Sequence, residues 1–143
     1  MLAAGLIGAA MMAAIDEIVF HQLLSWHHFY DRSTTDTALL SDGLLHAAEL
    51  VGLVAGFFWL SDLRRRQILA PTAAWGGFLI GAGLFQIWDG LVDHKLLEFH
   101  QVRYGVESLP YDLAWNLAGV AILAAGTWIA SRGVSATNGG HGR

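Results

Sequence analysis

The stretch DEIVFHQLLSWH, residues 16–27, returns as DGLVDHKLLEFH at residues 89–100, and that return decides how the chain is read. Asp16, His21 and His27 fall on Asp89, His94 and His100, an offset of 73 positions that also lays Leu6-Ile7-Gly8-Ala9 on Leu79-Ile80-Gly81-Ala82. Further along, an offset of 70 sets Asp42 on Asp112 and His46 on Asn116. Self-similarity at a fixed period marks a repeated supersecondary unit, here a helical hairpin expected over about residues 2–60 and again over about 73–131.

Outward from these motifs the chain is apolar. Its 143 residues are 55% hydrophobic and 14% charged, a composition unlike that of a soluble domain. Eight Lys and Arg against twelve Asp and Glu leave a net charge of -4 with His neutral, so no basic surface for nucleic acid is expected. The chain has no cysteine, which excludes disulfide scaffolds, zinc ribbons and thiol redox centres. Four apolar segments, 2–30, 38–60, 73–99 and 110–130, are rich in Ala, Leu and Gly. Each is long enough for a helix of about 20 residues, which crosses a hydrocarbon core of roughly 30 Å. Inside a bilayer the backbone must satisfy its own hydrogen bonds, so these are helices. The start of the chain lacks the basic residues and turn of a signal peptide and reads as the first span.

The expected fold is therefore all-α and polytopic: a four-helix bundle of transmembrane helices, residues 1–131, built as a duplicated hairpin, with a flexible tail at 132–143. Each unit has an even number of spans, so both copies cross in one sense and the pseudo-twofold axis lies along the membrane normal. Arg64, Arg65 and Arg66 in the middle connection and Arg132 after the last span place both termini on the cytoplasmic side. Connections 31–37 and 101–109 then lie outside, with Arg32 and Arg103 as contrary charges. Pro110 suits the first turn of the last span. Trp26, Tyr30, Trp59, Tyr104, Trp115 and Trp128 read as an interfacial aromatic belt.

Seven histidines in so apolar a chain are the anomaly. On an α-helix with Asp16 at zero, Glu17 lies at about 100°, His21 at about 140°, His27 at about 20° and His28 at about 120°. The third span repeats the arc with Asp89, Asp93, His94, Glu98 and His100, and the second carries a narrow stripe of Asp42, His46 and Glu49. Ionisable groups at membrane depth are costly unless paired or coordinated, so they face a bundle interior. The expected topology puts all of them in the extracytoplasmic half. The other half carries small-residue pairs, Gly52 with Gly56 and Gly77 with Gly81, that let membrane helices approach closely.

DEIVFHQLLSWHHFYD, SDGLLHAAEL, WDGLVDHKLLEFHQVRYGV and PYDLAWN together resemble the signature of a family of small bacterial four-helix membrane proteins classed as a domain of unknown function. The resemblance covers most of residues 5–131 and implies a multi-pass protein of the bacterial inner membrane. Genes of such proteins often neighbour one for a membrane protein of cytochrome oxidase copper assembly. The resemblance thus implies metal handling linked to respiratory oxidase assembly and a membrane protein partner. The family's first motif often reads Asp-Gly, as at Asp89-Gly90, whereas this chain has Asp16-Glu17; Asp16 and Asp89 are carried over, and Glu17 is not.

Imidazoles and carboxylates one to three turns apart on facing helices are how bundle metal centres are assembled. His21, His46 and His94 are the expected inner ligands of one site, with Asp16, Asp89, Asp42, Glu49 and Asp112 as ligands or supports. His27, His28 and His100 near the interface form an access or second site, or are simply solvated. Nitrogen and oxygen donors suit a transition metal ion such as zinc, iron or copper, as Cu(II), and the absence of Cys disfavours a soft Cu(I) site. A hydrogen-bonded network of Asp–His pairs that only holds helices together is the plain alternative. Glu98 with His94 and Asp42 with His46, each at i, i+4, are candidate side-chain pairs. Further alternatives are a metal-dependent membrane oxidase, a haem b carrier with His21 and His94 as axial ligands, and a proton path. No nucleophile triad, phosphate loop or nucleotide fingerprint is present.

Overall fold

With no partner for a free N–H or C=O in an apolar surround, such a chain closes its hydrogen bonds within helices, and the computed structural model, which describes residues 1–139, is all-α. Helix α1 spans Leu2–Asp16, α2 Thr35–Arg65, α3 Pro71–Trp88 and α4 Leu109–Gly139. Thr34 caps α2, its hydroxyl accepting from the Thr37 N–H at 3.3 Å, which satisfies one of the orphan donors of a helix start. Pro71 opens α3, where its missing N–H is not needed. The end of the expected tail, residues 140–143, lies outside the described residues.

Both α1 and α3 pass without a break into a π-helical segment, Glu17–Leu23 after α1 and Asp89–Leu96 after α3. The expected first and third spans are shortened accordingly, from residues 30 and 99 to Leu23 and Leu96. The cause is local: Ser25 (φ 50°) and Glu98 (φ 51°) take the left-handed conformation, in which a right-handed helix cannot continue. Their backbones close alike, with Leu24 N–H to the Val19 carbonyl at 2.9 Å and Leu97 N–H to the Val92 carbonyl at 2.7 Å.

By length and composition three stretches are able to cross a membrane: Leu2–Leu23, Thr35–Arg65 and Leu109–Gly133. The expected third span, α3, is not among them; in 18 residues it carries four glycines and Gln86. Helix contacts run in the order α2, α1, α3, α4, and α2 does not touch α4 among the described residues. The centre of the molecule is thus the α1–α3 pair. A Cβ at Gly8 would overlap the Phe78 backbone and one at Gly81 the Gly5 backbone, so the two helices cross with their main chains in contact. Such close approach supplies the dispersion that holds helices together where lipid removes the hydrophobic drive. Met1 lies against Gly77 and, at the other end, His21 of the first π segment meets His100 just beyond the second, so α1 and α3 run parallel. Outer rows such as Leu40, Leu44, Leu50 and Phe58 on α2 and Leu117, Val120 and Trp128 on α4 are exposed, as a lipid-facing surface requires.

Candidate metal centre

A π-helix bonds i to i+5, and this winding rather than the α period sets the polar geometry. On an α-helix residues five apart lie about 140° from one another. Here they meet: His21 Nε2 lies 3.4 Å from Asp16 Oδ2, His94 Nε2 lies 3.1 Å from Asp89 Oδ2, and Gln22 donates to Glu17 Oε1 at 3.0 Å. The left-handed turns at Ser25 and Glu98 then lead the chain back over the ends of the π segments. His27, His28 and His100 therefore sit on these loops, and the helical angles expected for them do not apply.

The loops lock each other through two long-range bonds. His27 Nδ1 donates to the Val102 carbonyl at 2.8 Å, and His100 Nδ1 donates to the Phe29 carbonyl at 2.9 Å. A carbonyl only accepts, so both rings carry a proton on Nδ1, and in the neutral ring the lone pair is then on Nε2. The His27 and His100 rings are stacked, 4.5 Å apart and 5° from parallel. His21 flanks His27 at 4.4 Å and His94 flanks His100 at 4.6 Å. Four imidazoles thus stand in the order His21, His27, His100, His94, with Asp16 and Asp89 at its ends. All six side chains are buried, and no ring Nε2 among the four is in hydrogen-bond geometry, while Asp16 lies 3.4 Å from that of His21 and Asp89 3.1 Å and 3.6 Å from those of His94 and His100. Burial, and then the neighbouring His100 and His21, push His27 down to about 2 from its ordinary value, so the ring is neutral.

Ligand atoms of His21, His27 and His100 lie within 4.8 Å of one another, and so do those of Asp89, His94 and His100. A third set, Glu17, His21 and Asp42, gathers on the other nitrogen of His21. There Glu17 Oε2 stands 2.5 Å and Asp42 Oδ1 3.3 Å from His21 Nδ1. Asp42 is held by the Phe29 N–H at 2.8 Å and by His28 Nδ1 at 2.6 Å.

The remaining expected residues lie outside the four-ring cluster. His46 is 42% exposed at its side chain and touches Glu17 (3.5 Å) and Glu49 (3.1 Å), so the Glu17 carboxylate stands between it and His21. The reason is the helix order: α2 packs on α1 and does not reach His94. Asp112 is ion-paired with Lys95 at 2.5 Å. Neither candidate i, i+4 pair forms: Glu98 bonds Arg32 at 2.6 Å, and Asp42 turns to His21 and His28 instead of His46. Glu17, fully buried, is the residue that sequence reasoning left out; its spacing of four from His21 was the available signal.

The family model described as "Predicted membrane protein (DUF2243)" matches residues 3–133. The chain belongs to that family. No curated protein and no solved structure matches. The matched range reaches all four helices and takes in both π segments and both loops of this DUF2243 protein.

Proposed function

We propose that this chain is an integral membrane metal-binding protein whose centre is formed by His21, His27, His94 and His100 with Asp16 and Asp89. The observation that carries the reading is the convergence of four buried imidazole Nε2 atoms, none of them in hydrogen-bond geometry, three of them 3.1–3.6 Å from the Asp16 or Asp89 carboxylate, and two on rings whose Nδ1 is held by a backbone carbonyl. An unsatisfied buried polar group costs about 1–3 kcal/mol, and a network built only to join helices would close these bonds. A carbonyl on Nδ1 with the lone pair of Nε2 turned inward is the usual arrangement of a metal-binding histidine. Nitrogen donors with carboxylates suit zinc, iron or Cu(II).

In the same reading the protein has four spans in two duplicated hairpins about an axis passing between His27 and His100. The matched contacts on either side support it: His21–His100 is 5.9 Å and His27–His94 6.1 Å, and the loop bonds to Val102 and Phe29 are reciprocal. Helix α3 packs between α1 and α4, so little of it needs lipid-compatible side chains. Arg64, Arg65 and Arg66 end α2 at the pole away from the centre, which by the excess of basic residues on cytoplasmic loops supports cytoplasmic termini and a centre in the outer half. Ion delivery or storage, as the resemblance implies for oxidase assembly, needs no substrate cavity. A haem between His21 and His94 is disfavoured, because the stacked His27 and His100 rings occupy the space between them.

Elemental analysis and an optical spectrum of the detergent-purified protein test this. Transition metal bound stoichiometrically with no Soret band is expected; a protein that purifies without metal and takes up none on titration refutes the reading.

A further inference from the structure

Sequence offsets pair each polar residue of the first half with a position in the second, and outside the four-ring cluster the two halves differ in chemistry. Around the Nδ1 face of His21 the first half gathers Glu17, Asp42, His46 and Glu49, with His28 behind Asp42. The offsets of 73 and 70 place Gly90, Asp112, Asn116, Gly119 and Gln101 at the corresponding positions. A Cβ at Gly90 would overlap the Asn116 side chain and Trp115, so no space is left there. The one carboxylate kept, Asp112, is neutralised by Lys95, whose counterpart in the first half is the uncharged Gln22. Asp93, buried where the first half has Phe20, belongs to no group of converging donors among the described residues.

We propose that the first half alone holds a second divalent transition metal ion, bound by His21 Nδ1, Glu17 and Asp42, so that the His21 imidazole links it to the ion of the central cluster. The inference rests on the reading of that cluster as a metal centre. His21 turns Nδ1 to Glu17 and Asp42 and Nε2 to Asp16. Three carboxylates converging on one buried imidazole are more negative charge than a ring can compensate at low dielectric. Two buried oxygens point to the missing partner: Glu17 Oε2 and Glu49 Oε1 have no hydrogen bond, on residues 0% and 5% exposed. His21 Nδ1 hydrogen-bonds Asp42 Oδ1 at 3.3 Å and stands 2.5 Å from Glu17 Oε2, and a single ring N–H cannot serve both carboxylates. Donors within 4.8 Å of one another fit around one ion with bonds of about 2.0–2.2 Å. His46 and Glu49 close the outer side, where His46 reaches solvent. When both nitrogens of His21 bind an ion the ring gives up its remaining proton to solvent, so loading releases it.

The test is zinc titration of the detergent-purified full chain, followed by gel filtration and elemental analysis. Wild type is expected to hold two zinc ions per chain. Glu17→Gly, which installs the residue the second half carries at that place in its π segment, is expected to hold one. Asp42→Asn serves as the second variant should Glu17→Gly not elute as folded protein, with the same loss of one ion expected. A wild type that saturates at one ion, lost in His27→Ala but kept in Glu17→Gly, overturns the second site and leaves the central one standing. Two ions retained in both acidic variants also overturn it, and no zinc in wild type removes both readings.

Discussion

At the residue scale the decisive atoms are ring nitrogens. His27 and His100 each spend Nδ1 on a carbonyl of the opposite loop and keep Nε2 for the interior, so each serves two purposes, joining the loops and offering a lone pair. Replacing either by Ala is expected to lower metal content sharply and to about the same extent, since their surroundings match. Asp16→Asn and Asp89→Asn, which disturb the carboxylates beside the terminal rings, are expected to weaken affinity about 10- to 100-fold. His46→Ala is expected to leave the central ion in place, because that ring meets the cluster only through Glu17. Elemental analysis of the purified variants checks all of these; full occupancy in His27→Ala would return the cluster to a structural network.

At the element scale the unusual parts are the two π segments and the turns that end them. Ser25 sits in the left-handed region at φ 50°, where a Cβ costs roughly 1–2 kcal/mol and glycine is free of it. Ser25→Gly is therefore expected to raise thermal stability in detergent, offset in part by the greater entropy of the unfolded glycine, for a net gain of up to about 1 kcal/mol. Ser25→Val is expected to lower stability and, by shifting His27, to lower metal content as well. Equal melting temperatures for all three proteins would show that the turn is not strained. Glu98, at φ 51°, is a less clean test because its carboxylate also holds Arg32.

At the scale of the whole molecule the chain is polarised. One pole holds Arg64, Arg65 and Arg66 and the small-residue crossing at Gly8 and Gly81; the other holds the loops and the buried imidazoles. If the arginine pole is cytoplasmic, single cysteines introduced at Thr35 and Ser108 will react with an impermeant thiol reagent added outside intact cells, and the chain has no native cysteine to interfere. Labelling only after the membrane is opened would invert the topology and move the centre to the cytoplasmic side.

The sequence by itself determined the helical class, the apolar segments and the pairing of Asp16, His21 and His27 with Asp89, His94 and His100, because apolar runs and repeats are written one residue after another. It also marked Asp42 and His28 as candidates. What it did not carry was which of these groups meet. Read at the α period, Asp16 and His21 point apart by about 140°, whereas the π winding turns them to one side. His27 and His100 read as positions on a helix, yet left-handed turns put them on loops, where each is fixed by a carbonyl about half the chain away, Val102 being 75 residues from His27. His46 looked like an equal partner of His21 and His94, but α2 touches only the α1 side. Helix period and repeat are local properties of the chain; the winding of a strained turn and the choice of neighbour are decided by packing between distant segments, and that exists only in the folded molecule.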